Sequence, residues 1–188
     1  MTEDDKEIAE RFRRLAAAFA DKIAHVPPER WQSPSPCEGW TARDVVRHMV
    51  DTQGLFLRLV GRELGEVPSV DDDPLAAWNA ARAVVQANLD DPELASAAFD
   101  GFFGRTTYAQ AIDRFVCTDL VLHSWDLARA AGLDERIDPE DVARVMEQMK
   151  GFGDAARGPE LFGSEIEPPP GADEQTRLLA FTGRRSWD

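Results

Sequence analysis

The chain has 188 residues, 43% of them hydrophobic, and a formal net charge of −14. That length suffices for one domain with a substantial core, and the composition is that of an ordinary globular protein. The acidity argues against nucleic acid and anionic membrane surfaces as partners, and no apolar run approaches the ~20 residues that span a bilayer. The first ten residues, MTEDDKEIAE, are acidic and carry no apolar signal core, which leads us to expect a cytoplasmic protein. Cys37 and Cys117 match no zinc-finger or CxxC spacing and read as small buried hydrophobes.

In chain order, Ile8, Phe12, Leu15, Phe19 and Ile23 recur at helical spacing and predict a first helix from Glu3 to Val26, ended by Pro27 and Pro28. The stretch WQSPSPCEGW reads as a fixed loop held extended by Pro34 and Pro36. Thr41 caps a second helix with Asp44 at N3, running to about Arg62 with Val45, His48, Met49, Thr52, Leu55, Phe56 and Leu59 in line. Asp73 and Pro74 are the N-cap and N1 residues of a third helix whose inward face is Trp78, Ala81, Val84, Val85 and Asn88. The segment from Asp90 to Arg105 reads as a connection, with a turn at Gly101-Phe102-Phe103-Gly104 anchored by its two aromatics and no convincing strand pair. A fourth helix starts at Thr106 or Thr107 and stops near Gly132. Asp138-Pro139 opens a fifth, with Val142, Val145, Met146 and Met149 inward. After the breakers Gly151, Gly153, Gly158 and Pro159 and the stiff run Pro168-Pro169-Pro170, a short helix near Asp173 to Thr182 stops at Gly183. The expected architecture is an all-α bundle of four main helices over residues 1–160, with a short helical C-terminal extension, 161–188, packed on it.

Candidate chemistry concentrates on two of these helices. In FVCTDLVLHSWDLARAAG, Asp119 and His123 lie one turn apart on the apolar stripe with Ile112, Phe115, Val116, Leu122 and Leu127. A carboxylate and an imidazole on a core-facing stripe are costly unless something satisfies them. An i, i+4 pair can chelate one ion, and His48 would supply a third ligand from across the bundle. Two histidines and a carboxylate leave coordination positions open, as in a catalytic zinc or non-haem iron site. Asp126, one further turn along, either orients a ligand from behind or replaces Asp119 as the carboxylate ligand. From spacing alone, a surface Asp–His pair and a hydrogen-bonded core His48 outweigh a metal site. His25 sits at a helix end as a partner for the helix dipole. Trp40 reads as a hydrophobic staple, Trp125 as core or interface packing away from the ligand face, and Asp71-Asp72-Asp73 as a solvated loop and cap lacking the further ligands of a calcium loop.

The segments PSPCEGWTARDVVRHMV and DLVLHSWDLARAAG, with the ending RLLAFTGRR, resemble the DinB-like metal-binding bundle superfamily. The resemblance is nearest to its actinobacterial branch, related to the N-terminal domain of mycothiol-dependent maleylpyruvate isomerase. It implies a DinB-like four-helix bundle with His48, Asp119 and His123 as metal ligands. Isomerase relatives use Glu where this chain has Asp119, so the shorter side chain must approach the ion more closely or bind through water. They also carry a separate C-terminal domain where a short tail follows here, so isomerisation of maleylpyruvate itself is not implied.

Two classes of function follow. The first is a metal-dependent enzyme in which a divalent ion, zinc foremost with nickel or iron as alternatives, ionises a small thiol such as mycothiol for transfer to, or isomerisation of, a small electrophile. A variant of this class is a hydrolase in which the ion activates water. The second is a non-catalytic metal-binding or sensing bundle. A small thiol and a small electrophile are the expected partners, and a homodimer is left open.

Overall fold

A computed structural model describes residues 2–101, 104–152 and 163–187. The chain resolves into two compact units, Met1–Asp134 and Glu135–Asp188. The expected boundary between residues 160 and 161, and the breakers Gly153, Gly158 and Pro159, lie outside the described residues.

The first unit is built on helices α1 (Glu3–His25), α2 (Ala42–Leu59), α3 (Pro74–Asp90) and α6 (Cys117–Ala131). Both α1 and α2 pack on α3 and on α6, so α1 stands diagonally across the bundle from α2. Phe12, Phe19, Met49, Trp78, Leu89, Leu120 and Leu127 are among the fully buried side chains that fill the interior. Trp78 meets Phe19 edge-on with ring centroids 4.9 Å apart. Its indole N–H donates to the Ala16 carbonyl at 3.0 Å, which satisfies the only polar atom of a buried ring.

Helix starts follow the caps that the sequence predicts. The Thr41 side chain accepts from the Asp44 backbone, and Asp44 accepts in return from the Thr41 N–H and hydroxyl at 2.9 and 2.7 Å. Asp73 caps α3, with Pro74 at its first position. Gly132, at φ 72°, ends α6 in the left-handed conformation that a side chain would oppose. Helix α2 ends at Leu59, earlier than the expected Arg62.

Three features differ from expectation. The connection after α3 holds a one-turn helix, α4 (Pro92–Ala95), and an antiparallel hairpin of β1 (Ala98–Gly101) and β2 (Gly104–Thr107), paired from Ala98 with Thr107 to Gly101 with Gly104. Each strand has four residues, too few for a period-two pattern to stand out. The expected anchors Phe102 and Phe103 lie outside the described residues. The fourth main helix is also not continuous: α5 (Tyr108–Ala111) passes through a π-helical turn (Ile112–Val116) before α6 begins. Asp113 in that turn takes a 2.7 Å ion pair from Arg11 of α1, with both side chains largely buried. Finally, Leu55 is 44% exposed while Gln53 and Leu57 are fully buried. The buried arc of α2 is therefore rotated from the expected stripe, and His48 lies at its edge.

In the second unit, α7 (Pro139–Phe152) buries Val142, Val145 and Met149, with Met146 half-buried. Helix α8 (Glu174–Phe181) is capped by Asp173 and followed by Gly183 at φ 79°. The Gln175 amide ties this unit's first segment down, accepting from the Ile137 N–H at 2.8 Å and donating to the Glu135 carbonyl at 3.0 Å. Among the described residues, no helix is long and apolar enough to cross a membrane.

The Thr41 cap gives the first prediction. Hydrogen bonds from Thr41, hydroxyl first and backbone second, hold the Asp44 carboxyl below the usual carboxylate range. A depressed folded pKa contributes stability above the ordinary value, and that contribution is lost as pH falls through the lowered one. Thr41→Ala is expected to cost about 1 kcal/mol at neutral pH, read as a lower urea midpoint, with the deficit shrinking once acid protonates Asp44.

Candidate metal centre

The site is assembled from α2, α6 and the loop before α2. That loop folds back on itself: the Ser35 N–H donates to the Trp40 carbonyl at 2.8 Å, and the Trp40 N–H donates to Cys37 at 3.0 Å. Gly39, at φ 77°, occupies the third position of this turn, where a positive φ is required. The turn delivers Cys37 and Trp40 to the side of α6 that carries His123. The capping box then starts α2, and two turns later the helix presents His48.

The structure brings His48, Asp119 and His123 together. One donor atom from each falls in a group whose members all lie within 4.8 Å of one another. His48 Nε2 is 3.7 Å from Asp119 Oδ2 and 3.4 Å from the Thr52 hydroxyl. The two imidazole rings stand edge-on, with centroids 4.8 Å apart. His48 and Asp119 keep 32% and 22% of their side-chain surface, while His123 keeps 9%. The expected inward-facing trio is thus a half-open one. Two donors sit at the mouth of the groove between α2 and α6, and one sits beneath them.

Asp126 lies behind His123. Its carboxylate is fully buried, and the His123 Nδ1–H donates to Oδ2 at 2.9 Å. The Cys37 thiol donates to the same oxygen at 3.4 Å. A bond to Nδ1 fixes the ring's orientation and leaves Nε2 as the nitrogen that can ligate. Of the two roles open to Asp126 from sequence, this geometry matches the orienting one. Cys37, His123 and Asp126 also form a second group of three potential ligands, sharing His123 with the first.

Two loop residues take positions that the sequence did not suggest. Cys37 is half-buried beside a carboxylate, not a small core hydrophobe, whereas Cys117 is buried as expected. Trp40, expected as a staple of the helix start, packs against both histidines of the trio. Its ring lies 4.9 Å from His48 and 5.9 Å from His123, near-parallel to the latter at 24°. It forms an aromatic wall of the site. The available signal was the C-E-G-W turn directly before a capped helix, which folds its first and last residues back over that helix's first turns. His25 is the last residue of α1, with Nδ1 donating to the Asp21 carbonyl at 2.7 Å, apart from the trio. Trp125 is buried, as expected, with the Arg129 guanidinium 5.7 Å from its ring.

Residues 12–128 match the family described as the mycothiol maleylpyruvate isomerase N-terminal domain, and this segment contains all the donor residues above. The protein belongs to that family, and its fold is the all-α, DinB-like four-helix bundle. Over 174 residues it is 32% identical to uncharacterized proteins of two Mycobacterium tuberculosis strains, CDC 1551 / Oshkosh and ATCC 25618 / H37Rv; each alignment covers 92% of this chain and 94% of the relative. No solved structure gives a significant match.

Burial separates the two carboxylates energetically. Asp126→Ala leaves the His123 N–H and the Cys37 thiol without their buried acceptor, at a cost of about 2 kcal/mol. Asp119→Ala removes a half-exposed group, at a cost of under about 1 kcal/mol. Urea unfolding of both variants in the presence of chelator should show that difference.

Proposed function

We propose that the protein is a divalent-metal-dependent enzyme that uses a small thiol, mycothiol, for transfer to or isomerisation of a small electrophile. Its metal ligands are His48, Asp119 and His123. The observation that carries this reading is the convergence of two imidazoles and one carboxylate at a half-open mouth. Tetrahedral coordination with bonds of about 2.1 Å sets ligand atoms roughly 3.4 Å apart, so the observed spacing needs only side-chain adjustment. The donor set suits zinc, and also accepts nickel or iron.

Each residue then has a defined task. His48 offers Nε2, the nitrogen that faces Asp119. His123 offers Nε2 because Asp126 holds its Nδ1. Asp119 supplies the compensating charge, and Trp40 shields one side from water. When bound, the ion lowers the pKa of a thiol, supplying a thiolate nucleophile at neutral pH. The family description supports mycothiol as that thiol. A cytoplasmic setting, which keeps thiols reduced, suits this chemistry.

A second reading has one observation in its favour. Cys37 lies close enough to His123 and Asp126 to join them as a ligand, which would shift the ion inward and close the site, as in a sensing or structural role. Cys37→Ser separates the two readings: metal affinity is unchanged for the open site and falls if Cys37 ligates.

Protein purified without chelator should carry one divalent ion per chain by elemental analysis. His123→Ala should weaken metal binding far more than His25→Ala, and Asp126→Asn should weaken it about 10–100-fold by releasing the ligand it orients. Equal affinities for the two histidine variants would exclude the ligand set. In cobalt-substituted protein, mycothiol should add a charge-transfer absorption in the near ultraviolet that its S-methylated form does not. Absence of that band would exclude the thiol and favour water activation.

A further inference from the structure

Thr52 follows His48 by one turn of α2 and is 8% exposed. Among the described residues, its hydroxyl makes a single hydrogen bond, with His48 Nε2 at 3.4 Å. Ser and Thr hydroxyls in helices and at their ends commonly turn back to the carbonyl four residues earlier. Ser96 and Thr182 do so here, reaching the Pro92 and Leu178 carbonyls at 2.7 and 3.2 Å. For Thr52 that carbonyl belongs to His48 itself, and the hydroxyl meets the ring instead. A β-branched side chain on a helix has few χ1 choices, so the hydroxyl is held at the nitrogen that faces Asp119, 3.7 Å away.

That pairing and ligation exclude each other. An imidazole nitrogen that coordinates an ion uses its lone pair and carries no proton, so it neither accepts from nor donates to a hydroxyl. With His48 ligating through Nε2, Thr52 loses its partner, and a buried hydroxyl without one is costly. The proton it frees lies beside the half-open mouth, where His48 and Asp119 keep 32% and 22% of their side-chain surface. His123 gives its Nδ1–H to Asp126. At the ion, then, neither histidine nor Asp119 offers a proton to an incoming anion, and the Thr52 hydroxyl does.

We propose that Thr52 is a thiol-binding residue whose hydroxyl, paired here with His48 Nε2, donates to the thiolate sulfur on the open side of the ion, an assignment that rests on the ligand set His48, Asp119 and His123 proposed above. A hydrogen bond to an ionised acceptor is roughly twice as strong as one between neutral groups. The contact therefore favours a thiolate over a neutral thioether of the same shape. Valine keeps the branched shape of threonine without the donor, so Thr52→Val isolates the hydroxyl.

The test titrates the cobalt-substituted full chain with mycothiol and follows the thiolate charge-transfer band. Thr52→Val should bind cobalt within about threefold of wild type and lose about tenfold in mycothiol affinity. Its band should move to longer wavelength, because a hydrogen bond lowers the energy of the sulfur electrons that the transition excites. Thr52→Ser, which keeps the hydroxyl, should restore both readouts. Should Thr52→Val fail to fold, Thr52→Ala, which suits a helix interior, should show the same loss. Equal mycothiol affinity and an unmoved band in the variants, alongside a wild type that loads cobalt and shows the band, would overturn this assignment alone. Loss of cobalt affinity in Thr52→Val, with normal mycothiol binding once loaded, would also overturn it, by making Thr52 a support for the ligands and not for the thiol. A wild type that takes up no cobalt, or loads it and shows no band, would overturn the metal-thiol reading and this assignment together.

Discussion

The Asp126 carboxylate is the constraint on which the site depends. A carboxylate with no access to water must be met by donors, and the His123 imidazole and the Cys37 thiol are two of them. The first contact orients His123 toward the groove between α2 and α6. The second holds the turn before α2 against α6, and with it Trp40, which lies against both histidines. One buried oxygen therefore couples a loop, a helix start and a ligand. Replacing Asp126 by an apolar side chain would strand both donors and remove the contact that orients His123.

Much of the bundle was legible because its helices announce their ends. Thr41 with Asp44 and Asp73 with Pro74 place two helix starts to the residue, and the last helix begins one residue after the expected Asp173. The donor trio was legible as residue types at helical spacing, but its exposure was not. In the sequence His48 falls in line with an apolar stripe, yet Leu55, nearly in line with it, is 44% exposed, and the buried arc takes in Val46, Gln53 and Leu57. A buried polar residue such as Gln53 counts against the arc in any hydrophobicity pattern, so the pattern rotates toward the wrong residues. The hairpin and the π turn were also illegible. Four-residue strands carry too little pattern, and a π turn is set by tertiary contacts such as the ion pair between Arg11 and Asp113. Cys37 and Trp40 were missed for a related reason: their contacts depend on how a turn folds back, which no periodicity encodes.

The π turn carries a functional consequence. Such turns cluster at functional sites because the inserted residue redirects the side chains around it. Here it precedes the helix of Asp119 and His123 and presents Arg114 and Phe115 to a cavity beside the hairpin.

The central claim is that His48, Asp119 and His123 hold a divalent ion. Anomalous diffraction at the zinc absorption edge, from crystals grown with zinc, tests it most directly. The account predicts one strong peak per chain, about 2.0–2.2 Å from His48 Nε2, His123 Nε2 and an Asp119 oxygen, with Asp126 still bonded to His123 Nδ1. A peak coordinated by the Cys37 sulfur and Asp126, or no peak at the mouth of the α2–α6 groove, would contradict it.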